Sequence, residues 1–220
     1  AIVGGGSVPQ PGEVSLAHYG VLFLDELLEF SRSVLESLRE PMENGEICIS
    51  RALRQVRYPA RFQLIAAMNP CPCGYYTDKE RECCCSAEQV RRYQRRLSGP
   101  VLDRIDIHIE VPRLELKNLS YVVEEESSSV IAQRVMMART WQMQRQYKPN
   151  AYLTQSELKE ANWLGKEETR FLISSVEKLK LSARAYFRTI KVARTIADVD
   201  CCERVSVSHL SEALSWRSSL

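Results

Sequence analysis

Apolar residues form short runs in the first half of the chain, whereas in the second half they recur at helical intervals. Residues 20–26 place four consecutive apolar residues between a glycine and two acids, which predicts a strand buried on both faces, as in a parallel sheet. Residues 61–69 predict a second buried strand that ends in a polar residue. Because the carboxyl ends of parallel strands lie at one edge of a sheet, Asp25, Glu26 and Asn69 are expected to come together there.

Strict alternation of apolar and polar residues predicts three more strands. Residues 46–51 and 55–58 flank a short connection and predict a hairpin. Residues 105–111 alternate in the same way and predict a strand that Pro112 ends. The arginines near the tip of the hairpin are either solvated or suited to contact an anionic polymer such as DNA: Arg51, Arg54 and Arg57.

Helical spacing predicts a helix from Ser31 to near Pro41 and a basic helix over residues 87–97, capped by Ser86. The arginines of the basic helix are expected to face solvent, and contact with nucleic acid or a neighbouring subunit is the less favoured alternative. The last hundred residues are wholly helical in pattern. The chain is therefore predicted to be α/β over residues 1–118 and all-α over residues 119–220. The predicted helices of the second part cover residues 127–147, 154–162, 166–178, 182–199 and 206–216.

Composition adds little to this organisation. With 45% hydrophobic and 26% charged residues the chain is typical of globular proteins. Its formal net charge of +2 gives no bulk attraction to nucleic acid, so any such binding must come from a local patch. No apolar run approaches the roughly 20 residues of a membrane span. The cytoplasm is the expected location, with no membrane partner.

Most of the eight cysteines are clustered, with five between positions 71 and 85. Two Cys-x-Cys pairs, Cys71 with Cys73 and Cys83 with Cys85, supply enough ligands for one tetrahedral structural Zn²⁺. The spacing is tighter than the common Cys-x-x-Cys, so reduced free thiols are an equal alternative. In either case this cysteine loop is expected beside the edge that carries Asn69.

The two acids after the first strand suit Mg²⁺ on a nucleotide and the activation of a water molecule. Two solvated acids at a strand end are the alternative. Residues 4–6 are three glycines, but a phosphate loop requires Gly-Lys-Ser/Thr at the start of a helix, and that motif occurs nowhere in the 220 residues. Because the sequence starts in a glycine-rich segment just before a core strand, we expect it to be a fragment of a longer protein.

Several long segments carry a resemblance to known proteins, among them residues 20–27 with Gly-Val-Leu-Phe-Leu-Asp-Glu, residues 66–74 with Asn-Pro-Cys-Pro-Cys-Gly, and residues 97–106 with Leu-Asp-Arg. Residues 4–18, 182–184 and 192–198 extend it over nearly the whole chain. In order and type these segments resemble AAA+ ATPases, and most closely the magnesium-chelatase-like branch known as the ComM/YifB family. The resemblance implies a partial P-loop-type parallel-sheet core with an inserted β-hairpin, followed by an all-α lid domain.

The same resemblance implies roles for individual residues. Asp25 would belong to the Walker B pair and hold Mg²⁺, and Glu26 would polarise the attacking water. Asn69 corresponds to sensor 1, Arg104 to an arginine finger that reaches a neighbour's nucleotide, and Arg184 to the sensor 2 arginine of the lid. The hairpin over residues 46–58 corresponds to one that faces the pore in related motors.

The implied protein is a hexameric motor that uses ATP and Mg²⁺ to act on single-stranded or branched DNA, in ComM during natural transformation as a branch-migration helicase. Without a Walker A lysine, the 220 residues alone are expected to be inactive. Two alternatives remain: the ATPase subunit of magnesium chelatase, and a non-catalytic interaction module stapled by zinc. The cysteine cluster argues against the chelatase, because it belongs to the ComM/YifB pattern.

Overall fold

The computed structural model describes residues 2–6, 8–51, 54–78, 80–112 and 126–217, and the side chains of Arg51 and Arg54 are not among those described. The chain divides into two compact units, one that ends at Ile105 and one that begins at Asp106. Each unit is considered by itself below. The boundary predicted between residues 118 and 119 lies outside the described residues.

The first unit mixes short helices with two small sheets. A 3₁₀ turn at Leu27–Glu29 follows the first strand. The helices and strands are α1 (Glu13–Leu16), β1 (Val21–Leu24), α2 (Arg32–Ser37), α3 (Arg39–Asn44), β2 (Glu46–Arg51), β3 (Arg54–Pro59), β4 (Gln63–Ala66), α4 (Ala87–Gln94) and α5 (Gly99–Leu102).

Strand β1 pairs in parallel with β4, from Val21 opposite Gln63 to Leu24 opposite Ala66. The side chains of Leu22 and Leu24 are buried, whereas Val21 and Phe23 are exposed, Phe23 by 59%. The prediction that this strand is buried on both faces is therefore wrong for the described structure. An apolar run indicates a strand but not which faces are covered, because β-branched and aromatic residues also favour half-exposed strands. Strand β4 is likewise largely exposed, not buried as predicted, and it is shorter than expected.

Strands β2 and β3 form the predicted antiparallel hairpin, in register from Glu46 opposite Pro59 to Arg51 opposite Arg54. Ile47 on its inner face joins a single apolar core that also takes up β1, the 3₁₀ turn and the helices on either side. The other buried members of this core are Val14, Leu22, Leu24, Leu27, Leu28, Leu35, Leu38, Ala60, Tyr93, Leu97 and Val101. Through Leu27, Leu28 and Ile47, the 3₁₀ turn and the hairpin share this one core.

Two predicted features differ in the structure. Residues 105–111 form no strand, and Ile107, Ile109 and Val111 are exposed. Alternation produces a strand only where another strand offers hydrogen bonds, and in the described residues no strand pairs with this segment. Pro41 does not end a helix but lies in the first turn of α3, where the missing amide hydrogen would have no helical partner.

The second unit is helical, as predicted. It consists of α6 (Ser128–Gln146), a 3₁₀ turn (Asn150–Tyr152), α7 (Gln155–Ala161), α8 (Lys166–Lys178), α9 (Ala183–Val199) and α10 (Val207–Ser215). The side chains of Thr154, Ser182 and Ser206 cap the helices that follow them, which explains why their starts were predictable. Leu172, Ile190 and Leu210 lie in its apolar core.

A buried polar cluster holds this unit together around Asp198, which is fully buried on α9. Its carboxylate accepts hydrogen bonds from Arg145 on α6 (2.7 and 2.9 Å), Asn150 (2.8 Å) and Arg194 (3.1 Å). The cluster therefore joins α6, the 3₁₀ turn and α9. None of the helices in the described ranges is long and apolar enough to cross a membrane.

Candidate functional site

The carboxyl edge of the parallel pair is built by hydrogen bonds that continue beyond the strands. The amide of Ala67 donates to the carbonyl of Leu24 (2.9 Å), and the amide of Leu27 donates to the carbonyl of Ala67 (2.9 Å). Asp25 and Glu26 lie between these two bonds and are exposed. The structure thus places both predicted acids directly at the strand end, tied to the segment that follows β4.

Glu26 adopts a left-handed backbone conformation, with φ 49° and ψ 46°, which is uncommon for any residue except glycine. Its amide donates to Oδ1 of Asp25 (2.8 Å). The next two side chains, Leu27 and Leu28, are buried in the core and hold the 3₁₀ turn in place. The turn leaves both carboxylates in solvent at the strand end, as oxygen ligands of the type that Mg²⁺ takes.

Arg96 contacts the 3₁₀ turn that follows the two acids. Its Nη1 donates to the carbonyl of Leu28 (2.7 Å) and lies 3.4 Å from Oε2 of Glu29. The arginines of this region were expected to face solvent, and Arg96 is exposed, but it also makes this contact with the turn. A basic run with apolar neighbours gives no signal for such a contact, because the partner is a backbone carbonyl far away in sequence.

Asn69 follows β4 by three residues and is exposed. Its Oδ1 lies beside Gly74, where an added Cβ would come within 3.9 Å of it. Gly74 has φ +82°, a conformation that favours glycine, so the cysteine loop turns tightly next to Asn69. The structure therefore brings Asn69 to the same end of the sheet as the acids and next to the cysteine loop.

The two single arginines are in different units. Arg104, just after α5, is 8% exposed; its Nε lies 3.0 Å from Oε2 of Glu43, and its Nη1 donates to the carbonyl of Pro100 (2.6 Å). Arg184 lies half-buried in the first turn of α9. Their roles as arginine finger and sensor 2 stay predictions.

On the hairpin, Arg51 and Arg54 face each other in the strand register at the end next to residues 52–53, which lie outside the described residues. Arg57 is 69% exposed and pairs only loosely with Glu46, at 3.4 Å. DNA binding by these three arginines stays a prediction.

The four cysteines singled out from the sequence come together. Their sulfur atoms all lie within 4.8 Å of one another. Sγ of Cys71 lies 3.4 Å from that of Cys73 and 3.7 Å from that of Cys83, while Cys73 and Cys83 are 3.5 Å apart. Tetrahedral Zn²⁺ with bonds of about 2.3 Å separates its sulfur ligands by about 3.8 Å, so the cluster fits that ion. Cys84 is exposed and lies outside the group, and Cys85 completes it.

The cluster is anchored at both ends. The carbonyl of Pro70 accepts a hydrogen bond from Nε2 of Gln94 on α4 (3.1 Å). Ser86, immediately after Cys85, caps α4 through a reciprocal pair of hydrogen bonds with Gln89. The cysteine loop is therefore fixed to a helix whose Val90 and Tyr93 are buried, Tyr93 in the core of the unit.

The thiols influence one another electrostatically. A hydrogen bond from the backbone of Tyr75, aided by the thiols of Cys71 and Cys83, lowers the pKa of Cys73 to about 5. Desolvation, together with the neighbouring sulfurs, raises the pKa of Cys85 to about 12. These opposite shifts favour a thiolate at Cys73 and oppose one at Cys85. A divalent cation offsets that opposition, because it stabilises every thiolate bound to it.

Two family models match this chain. "Magnesium chelatase, subunit ChlI" matches residues 1–119, and "Magnesium chelatase, subunit ChlI C-terminal" matches residues 125–217. YifB of Escherichia coli K12 is 50% identical over 219 residues, and the competence protein ComM of Haemophilus influenzae is 49% identical over 219 residues. Each alignment covers 99% of this chain and 43% of the relative, so the chain spans less than half the length of these curated relatives. The magnesium-chelatase 38 kDa subunit of Acidiphilium rubrum is 33% identical over 70 residues, which is 32% of this chain and 20% of the subunit.

Proposed function

The chain belongs to the magnesium chelatase ChlI family, in its ComM/YifB branch, and on that premise we propose that it forms part of an ATP-hydrolysing AAA+ motor that acts on DNA. One observation carries the catalytic part of this proposal. Two adjacent carboxylates follow a parallel strand, at the edge that also carries Asn69, and a buried 3₁₀ turn keeps them exposed there. This is the edge of an open α/β sheet at which ligands bind.

In the proposed reaction each residue has a distinct task. Asp25 helps to hold Mg²⁺, which when bound neutralises charge on the nucleotide phosphates. Glu26 accepts a hydrogen bond from the attacking water and polarises it, and Asn69 orients that water or contacts the terminal phosphate. Arg184 contributes to nucleotide binding from the helical unit.

The phosphate-binding loop is the part of such a site that the 220 residues do not contain. Because the chain covers 43% of YifB and ComM, we propose that the loop belongs to a longer protein of which this sequence is one region. Alone, the 220 residues are expected not to hydrolyse ATP. Activity therefore has to be measured on the full-length protein, by ATP binding and phosphate release with and without Mg²⁺. A full-length protein that neither binds nor hydrolyses ATP contradicts the motor and favours a non-catalytic interaction module.

DNA is the proposed substrate because ComM, named a competence protein, is 49% identical across this region, and because the hairpin carries three arginines. The rate of ATP hydrolysis is compared without DNA, with single-stranded DNA and with branched DNA. We expect stimulation by DNA, and loss of stimulation in the double variant Arg51→Ala, Arg54→Ala. An ATPase that ignores DNA, with unchanged DNA binding in the double variant, refutes this part of the proposal.

A hexameric ring is proposed because Arg104 would act as a finger on a neighbouring subunit's nucleotide, where such a group supplies roughly 10³–10⁵ in rate. In the structure Arg104 is paired with Glu43 within its own unit, so action on a neighbour requires that pair to open. Mixing Arg104→Ala subunits with Glu26→Gln subunits tests this directly. If the finger acts between subunits, the mixture contains sites with both groups intact and regains part of the ATPase activity. If it acts within one subunit, the mixture stays inactive.

The cysteine loop is proposed to hold one structural Zn²⁺ through Cys71, Cys73, Cys83 and Cys85, because their sulfurs match the spacing of a tetrahedral site. Its role is to fix the segment beside Asn69, not to take part in catalysis. Elemental analysis of protein purified without chelators is expected to give one zinc per chain. A clearly substoichiometric value favours free thiols.

A further inference from the structure

An open trough of about 460 Å³ lies at the base of the hairpin, on a side of the first unit that the nucleotide edge does not use. Its polar and aromatic lining comes from three places in the sequence: the segment before β1, the turn after α3, and the end of the hairpin with the residues after it. The residues on which the argument rests are His18, Tyr19, Gly45, Glu46, Arg57 and Arg61.

Tyr19 is held in an exposed position. Its side chain is 71% exposed, and its backbone is left-handed with φ 58°, which is rare for an aromatic residue. The ring lies against His18, with ring centroids 4.1 Å apart. The backbone of Arg61 fixes both residues, since its carbonyl accepts the amide of Tyr19 and its amide donates to Nδ1 of His18 (3.0 Å). A strained backbone that presents a large ring to solvent gains little for folding, which points to binding.

Two arginines supply positive charge around this ring. Arg61 lies over Gly45, where an added Cβ would come within 2.7 Å of its Cγ, so the glycine leaves room for the arginine side chain. Arg57 projects from β3, with its guanidinium 3.4 Å from the carboxylate of Glu46. The trough therefore carries two cations, one carboxylate and an aromatic pair.

We propose that this trough binds single-stranded nucleic acid, with an unpaired base stacked on Tyr19 and adjacent phosphates on Arg57 and Arg61. Stacking on an exposed aromatic ring beside a basic groove is how proteins hold single strands without reading their sequence. A free phosphate would use the arginines but not the ring, and a paired base could not reach the ring face. The inference rests on the proposed action on DNA and specifies where the first unit would contact it.

The test is the affinity of the full-length protein for a fluorescein-labelled single-stranded oligothymidylate, longer than the roughly 4–16 nucleotides that single-strand-binding folds cover. The variants are Tyr19→Asn, which tolerates the left-handed backbone and removes the ring, Tyr19→Phe, which keeps the ring, and Arg61→Gln. Exposed residues elsewhere give matched controls, Tyr76→Asn for the ring and Arg170→Gln for the charge.

We expect Tyr19→Asn and Arg61→Gln each to weaken binding about fivefold or more, and Tyr19→Phe and both controls to bind as wild type does. The double variant Arg57→Gln, Arg61→Gln should lower the slope of log affinity against log salt by about 1.4, the value for two phosphates of a single strand. The unfolding midpoint of each variant shows whether it is folded. If Tyr19→Asn is not folded, the affinity of Arg61→Gln and the salt dependence of the double variant test the inference.

Equal affinity in trough variants and controls overturns the inference and leaves DNA binding by the protein intact. A wild-type protein that binds no oligothymidylate overturns the inference; if it also fails to bind branched DNA, the proposed action on DNA is overturned with it, while Mg²⁺-dependent ATP hydrolysis would still stand. The failure of the trough and the failure of the proposed function are therefore distinguishable.

Discussion

The carboxylates considered above lie in two different surroundings, one buried and one exposed. Asp198 is fully buried and accepts hydrogen bonds from three side chains. Although burial alone would raise the pKa of Asp198, hydrogen bonds from Arg145 and Asn150 and the charge of Arg194 lower it. Asp25 and Glu26 are exposed, as their proposed contacts with a metal ion and a water molecule require.

The first prediction concerns the buried carboxylate. Asp198→Asn removes the charge that compensates Arg194 and Arg145, so the free energy of unfolding should fall by about 3–5 kcal/mol. Urea denaturation of the variant and of the wild type measures this change in the free energy of unfolding. Asp200→Asn, two residues further on at an exposed position, is the matched control and should change stability by less than about 0.5 kcal/mol. Equal effects of the two substitutions would show that the cluster around Asp198 does not hold the helical unit together.

The second prediction concerns pH. Hydrogen bonding to Lys148, then to the backbone and hydroxyl of Thr154, lowers the pKa of Glu157 from 4.5 to about 2. A carboxyl whose pKa is lower in the folded state stabilises the fold above pH 4.5 and loses that contribution as the pH falls through about 2. Glu157→Gln should therefore be less stable than wild type near neutral pH, and the difference should vanish at about pH 2. A difference that is the same at both pH values contradicts the assignment.

Some single-residue features could be predicted and others could not. The position of Cys84 outside the four-cysteine cluster agrees with the two Cys-x-Cys pairs chosen from the sequence. The left-handed conformation of Glu26 and the contact of Arg96 with Leu28 had no local signal, because they depend on packing between segments distant in sequence. The same is true of the trough around Tyr19, whose residues come from three separate stretches.

At the scale of elements, helices were predicted better than strands. Helices α6 to α10 begin and end within two residues of their predicted bounds, because periodicity and capping residues are local to each helix. Residues 105–111 have the alternation of a strand but lack a pairing strand among the described residues. Strand β1 was predicted in position but not in burial, since the covering of its second face does not depend on the strand itself.

The third prediction belongs to the cysteine loop. Cys73→Ser should abolish zinc binding, because three sulfurs remain where a tetrahedral structural site requires four ligands. Cys84→Ser, a change of the same chemistry at an exposed neighbouring position, should retain one zinc per chain. Zinc content by elemental analysis and the unfolding midpoint before and after chelator treatment measure both variants. Zinc retained in Cys73→Ser, or lost in Cys84→Ser, would show that the four-cysteine assignment is wrong.

At the scale of the whole molecule, the sequence predicted an α/β part followed by a helical part, and the structure contains one unit of each kind. The predicted strand edge, hairpin and cysteine loop all fall in the first unit. The sequence could not predict the whole proposed nucleotide site. Its phosphate loop is not among these 220 residues, and its arginine finger would come from a neighbouring subunit. The central claim about this chain is therefore the proposed role of the two acids after β1.

That claim is tested most directly by the rate of ATP hydrolysis of the full-length protein with Glu26→Gln, beside Glu29→Gln as the control at an exposed acid three residues away. If Glu26 polarises the attacking water, Glu26→Gln should lower the rate by about 10²–10⁴ while Mg²⁺-dependent ATP binding is kept, and Glu29→Gln should hydrolyse ATP at close to the wild-type rate. A Glu26→Gln protein that hydrolyses ATP as fast as wild type would contradict the proposed site.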